Sequence, residues 1–292
     1  MKRSIICLLL LITAVSALPA QSENFKIETD INWERDLIRI RVENDLNPEI
    51  FVIQEAKLQA NRETKLAFPR ILLMALEPIV VDSRKTVKDL ILEDLTYLNV
   101  IESLSQDAFL ETSYLNRDLT SLINEYAVNL YSDFTKIFVN HDSPIPIRPY
   151  LGFAAAEDYT AVVIVATGQL PVYGKSEAAS LHPALFPKLI SSSGETVLSQ
   201  ENIEPAVLTE RGYVTYYPEG TSLTEWEIGK NPLRILASAV FGVRHTDIVI
   251  RDSDVRKLLS RASNIELLKS GKIHIICNRE NLNLTQTLPL EK

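Results

Sequence analysis

Four histidines and two cysteines are the side chains of this sequence best suited to metal binding or catalysis, and their positions keep them apart. His141, His182, His245 and His274 stand singly, so a metal site would need further ligands from distant segments. His274 and Cys277 are the nearest pair. On a strand, an odd separation puts them on opposite faces, where they cannot hold one ion, and Cys277 reads as a packed thiol. Asp252-Ser253-Asp254 offers oxygen ligands, but calcium sites draw theirs from a longer series. Helix-start chemistry accounts for the same residues, with Ser253 as cap and the acids at the positive helix end. There is no phosphate-binding loop, dinucleotide fingerprint, nucleophile elbow or His-Glu-x-x-His pair, and 9 glycines leave little material for a phosphate cradle. The expectation is no catalytic residue, no metal ligand set and no cofactor.

Two features could serve binding instead. Tyr213, Tyr216, Tyr217 and Trp226 could form an aromatic surface for a ligand or partner, although strands are ordinarily rich in such residues. The amphipathic helices within residues 48–138 could dock partner helices, although an apolar stripe usually faces the protein's own core.

The elements that must position these residues fall into two regions. Phe25–Thr29 and Leu37–Val42 alternate as strands. Pro48 suits the first position of a helix, and helical spacing continues through Ile50, Ile53, Ala56 and Ala60 to about Leu76. Pro69 should kink or split that helix. A second helix follows Asp82–Thr86, with Val87, Leu90, Ile91, Leu95 and Leu98 on its apolar face. Phe109–Leu115 could be a strand. Leu119, Leu122, Ile123, Tyr126, Leu130, Phe134 and Phe138 fit a further helix, with Thr, Tyr and Val leaving a strand open. Pro144, Pro146 and Pro149 make residues 142–150 an extended linker. Beyond it, Tyr159–Ala166 reads as a buried central strand, and Leu185–Ile190 with Glu195–Leu198 as a hairpin. Tyr213–Tyr217, Leu233–Phe241, Asp247–Ile250 and Lys272–Cys277 read as strands, with a helix after Ser253. The fold class is α+β in two domains, N-terminal strands plus long helices in 21–141 and a mixed sheet with a packed helix in 151–279. Residues 280–292 read as a loose polar tail.

The first residues have the order of a secretory signal: Lys2 and Arg3, an apolar run from Ile5 to Ile12, then small residues. Cleavage is expected after Ala20, making Gln21 the mature N-terminus, with Leu18 as second choice. The run is too short to span a bilayer. Cys7 lies inside it rather than after it, so no lipid anchor is expected, and no later stretch reads as a transmembrane segment. Removing Lys2 and Arg3 makes the net charge of −8 more negative still, which argues against nucleic acid or an anionic membrane as partner. Cleavage also leaves Cys277 as the sole thiol, so no internal disulfide can form.

The order of elements carries a resemblance. The strand Tyr159–Ala166 is followed by Gly168, and Pro187-Lys188-Leu189-Ile190 precedes Gly194. Arg211-Gly212-Tyr213-Val214, Asn231-Pro232-Leu233 and Thr246–Ile250 come next, then a helix and Cys277. Residues 155–278 thereby resemble the C-terminal half of bacterial envelope proteins related to flagellar assembly protein T and to small surface lipoproteins. Val165-Ala166-Thr167-Gly168 stands where members often have Asp-Ala-Arg-Gly. The resemblance implies a non-enzymatic periplasmic or outer-membrane-associated component, working with envelope protein partners and tied to flagellar assembly. The alternatives are a periplasmic binding module for a small ligand or glycan, using residues 213–226, and a hydrolase with a spatially assembled site.

Overall fold

The computed structural model describes residues 25–288. Ala20 and Gln21, the expected cleavage site, lie outside them, as does Leu18. The first strands form as the alternation requires. In β1 (Phe25–Asn32) and β2 (Leu37–Asp45), Ile27, Ile31, Ile38, Ile40 and Val42 are buried on one face. That face packs against α1 (Ile53–Leu76), where Phe68, Ile71, Leu72 and Leu76 are buried. α1 runs through Pro69 as one helix rather than two. It starts at Ile53, not Pro48, because the Asn47 side chain accepts from the Glu49 N–H at 2.9 Å and closes a turn that competes with the helix.

α2 (Val87–Glu93) begins with a reciprocal capping box between Thr86 and Asp89. The expected single helix ends there, and Thr96–Asp107 forms a separate α3. β3 (Phe109–Leu115) is a strand as read. The helix expected from Leu119 to Phe138 is instead β4 (Ser121–Asn129), followed by a π turn (Leu130–Phe134) and a short 3-10 turn (Thr135–Phe138). Leu122 and Tyr126 satisfy a period of two as well as a helical step of four, and nine pairings with β2 decide between them. The first sheet has the order β15-β1-β2-β4-β3.

Residues 139–161 contain no helix or strand. In the second domain β5 (Val162–Ala166) is shorter than read. β6 (Leu170–Pro171) and β7 (Ala178–Ala179) form a small ladder, and β8 (Leu189–Ser191) and β9 (Thr196–Leu198) form the expected hairpin. Then follow α4 (Pro205–Arg211), β10 (Val214–Pro218), α5 (Glu225–Ile228), β11 (Leu233–Leu236), β12 (Ala239–Phe241) and β13 (Asp247–Ile250). α6 (Asp252–Leu259) is capped by Arg251 rather than Ser253, which sits inside its first turn. α7 (Ala262–Lys269) leads to β14 (Ile273–Cys277). β10-β14-β5-β11 is a parallel sheet, and β12-β13-β8-β9 is mixed. The class is α+β.

Residues 280–288 are not a loose tail. β15 (Asn283–Leu288) returns to the first sheet and pairs antiparallel with β1 from Ile27↔Leu288 to Asn32↔Asn283. Its polar side chains face solvent, which is why composition alone reads as a tail; its backbone is held all the same. One apolar core is continuous across both domains. Trp33 meets Tyr216 edge to face at 5.9 Å. The Leu185 and Phe186 N–H groups donate to the Val80 and Val81 carbonyls at 3.0 and 2.9 Å. Gly212, at φ +69°, lies against the Tyr131 ring, where a Cβ would come within 2.5 Å. Only glycine fits both that backbone and that contact.

Candidate functional site

β10 does not gather the aromatic residues. Tyr213, just before it, and Tyr216 are 0% and 1% exposed and belong to the interdomain core. The Tyr213 hydroxyl donates to the Pro187 carbonyl. The Tyr216 hydroxyl accepts from the Ala184 N–H at 3.1 Å and donates to the Ala184 carbonyl at 3.0 Å. Burial raises both phenols well above their ordinary range. Neither can serve a ligand surface, which corrects that expectation. Tyr217 points to the other face, beside the His274 ring at 5.7 Å. Burial and Glu227, which accepts its hydroxyl, push its phenol up to about 12. Trp226 on α5 is 96% exposed.

The groups with chemical potential remain dispersed. His141 Nε2 donates to the Ile203 carbonyl at 2.8 Å. His182 and His245 are linked through backbone, the His182 N–H donating to the His245 carbonyl at 3.1 Å. Desolvation lowers the basicity of His274, and its Nδ1 has no hydrogen-bond partner among the described residues. Cys277 is buried on the opposite face of β14 from His274, and burial pushes its thiol up to about 12. Asp252 accepts from the Ser193 N–H at 3.2 Å, and Asp254 pairs with Lys257 at 3.2 Å. No three His, Cys, Asp or Glu side chains among the described residues are placed to hold a metal ion.

A groove of about 1040 Å³ lies elsewhere, at the end of the first sheet where β1 begins and β2 ends. Its walls come from Phe25, the loop Leu46–Phe51, the first half of α1, and Leu119 with Thr120 before β4. Phe51 is 99% exposed, Leu66 84% and Leu119 54%. Val52 stands at the N-cap of α1, makes no side-chain capping bond, and is a poor residue for that position. Phe51, just before it, could pack back on the helix as a staple but is free of it. Leu119 adopts φ +56°, a left-handed conformation normally left to glycine or asparagine. The Asn116 side chain fixes that turn by accepting from the Thr120 N–H at 2.8 Å. Among the described residues, Asp45 and Glu63 are the charged ones lining the groove, and no lysine or arginine lines it. Glu63 accepts from Gln59 at 2.8 Å and from the buried Asn44 at 3.3 Å.

Sequence reasoning missed this groove. Ile50 and Ile53 stand at core-facing helical spacing, and nothing in the apolar run says that the helix begins after it. The signal available was Asn47-Pro48, a turn pair placed before an apolar triplet.

No helix among the described residues is long and apolar enough to cross a membrane. The chain matches no curated protein. Residues 24–137 match the family model described as Treponema pallidum Tp0624, N-terminal domain, and residues 161–279 match that described as Treponema pallidum Tp0624, second domain. Over these two regions, taken in the same order, the chain is similar to the N-terminal and second domains of Treponema pallidum Tp0624.

Proposed function

We propose that this chain is a non-enzymatic, exported protein of the cell envelope that serves as an assembly partner, docking another envelope protein through the groove at the start of α1. The observation that carries this reading is Phe51, 99% exposed on the lip of a groove lined by both apolar and polar side chains. Leaving such a ring in water forgoes about 2 kcal/mol of burial. Clustered apolar exposure of this kind marks interaction surfaces. The signal-like order of Lys2, Arg3 and Ile5–Ile12 supports export to the periplasm, and the resemblance to envelope proteins related to flagellar assembly protein T supports an assembly role at the flagellum. The continuous core suits a rigid scaffold. The ligand-module alternative loses two of its four rings to that core.

Two measurements test the reading. N-terminal sequencing of the native protein should find Gln21, and an intact Met1 would end the export argument. A photo-crosslinking residue placed at Phe51 in intact cells should capture an envelope protein that the same residue at Leu151 does not. Equal capture at both positions, or at neither, counts against docking here.

A further inference from the structure

Resting on that docking reading, we infer that the occupant of the groove is an amphipathic helical segment of a partner, with an apolar face flanked by lysine or arginine. The apolar requirement comes from the walls. Phe51, Leu66 and Leu119 face solvent around one concavity, and two of them sit at unfavourable local choices: Phe51 beside a helix start with valine at the N-cap, and Leu119 on a left-handed backbone. Strain and exposure that converge on one place point to use of that place.

The basic requirement comes from charge. Asp45 and Glu63 line the groove, and no lysine or arginine among the described residues does. An acidic or purely apolar partner would leave these carboxylates unpaired or repelled, whereas flanking cations would meet them. The size fits as well. At about 1040 Å³ the groove exceeds most small-ligand pockets and takes two to three turns of a helix face about 10 Å wide. Anchors at helical spacing are the usual means of filling such a groove.

The test uses the purified chain beginning at Gln21 and two fluorescein-labelled helical peptides of about 18 residues, leucines on one face and either lysines or glutamates on the other. Fluorescence anisotropy should find the leucine–lysine peptide bound, and the leucine–glutamate peptide at least about tenfold weaker. Phe51→Asp, at a fully exposed site that folding does not need, should weaken the lysine peptide about thirtyfold or more. Asp45→Asn with Glu63→Gln, which keeps an acceptor for Asn44, should weaken it about tenfold. Trp226→Asp should leave it unchanged. Equal affinity for the two peptides, unchanged binding in Phe51→Asp, or no binding at all overturns the inference. A dimer seen by sedimentation that Phe51→Asp dissolves also overturns it, in favour of a second copy as occupant. The docking reading is judged separately: a crosslink from position 51 in cells to an acidic segment sinks the basic-helix inference alone, and absence of any specific crosslink sinks both.

Discussion

Asp36 occupies the turn between β1 and β2 at φ +54°, partly buried, with its carboxyl pushed up to about 6 by desolvation. The unfolded chain ionises near 3.8, so between about pH 4 and 6 the folded protein holds a proton that the unfolded chain has released. Asp36 therefore costs nothing at low pH, and stability is lost as the pH climbs from the unfolded value through about 6. Asp36→Asn, which tolerates the same backbone, should raise thermal stability at about pH 7.5 by roughly 1 kcal/mol, after discounting for partial exposure, and leave it unchanged near pH 4. Equal gains in melts at both pH values would assign the effect to something other than ionisation. Cys277 makes a complementary case. Its buried thiol, pushed up to about 12, should ignore aromatic disulfide reagents in the native protein and react fully on denaturation. At this scale the sequence was informative about parity. Tyr216 and Tyr217 are adjacent on one strand and could never share a face. Which face would be buried was not legible, because the first domain supplies Trp33 to cover Tyr216.

Strands with strict alternation or continuous β-branched runs were the readable elements, as in β2, β5 and β14, because period and burial coincide there. β4 was not, since its apolar residues serve both periods and only its neighbours choose. β15 was not either, since a strand whose side chains face water leaves no apolar pattern to find. Its contribution can be measured. A chain ending at Leu282 should be less stable by about 2 kcal/mol or more and melt at lower temperature, through loss of six cross-strand positions along β1. An unchanged melt would return these residues to the status of a tail. Asn124, on the helix-facing side of β4, is fully buried, and neither polar atom of its carboxamide meets a partner among the described residues. Asn124→Leu should stabilise the fold by about 1 kcal/mol, by removing a group whose desolvation is unrecovered. A marked loss in a denaturant titration would instead mean that the amide is satisfied in solution.

The two domains were legible as a count but not as a partnership. Sequence marks residues 142–150 as a break, and the structure pins them: the Ile145 N–H donates to the Glu201 carbonyl at 2.7 Å, and the Tyr150 N–H to the Leu259 carbonyl at 2.8 Å. Strongly exposed apolar residues lie just beyond, with Leu151 94% and Phe153 95% accessible. Chymotrypsin should therefore nick the native chain first after one of these two, and the fragments should stay together through the shared core until denatured. Separation of the fragments on native gel filtration would show that the core does not join them. The groove belongs to this scale too. It is assembled from β1, the loop after β2, α1 and the turn before β4, so no local stretch of sequence contains it.

The antiparallel pairing of Ile27 with Leu288 also governs the order in which this molecule can be completed. Synthesised from its N-terminus, the chain presents β1 before the second domain and the strand that seals the outer edge of β1 only after it. The first domain therefore waits, with one side of its sheet unsealed, while the whole second domain emerges. Such long-range closure is slow, and until it happens the outer edge of β1 has no strand partner. A fragment ending at residue 137, the limit of the first matched region, would remain permanently in that unfinished condition.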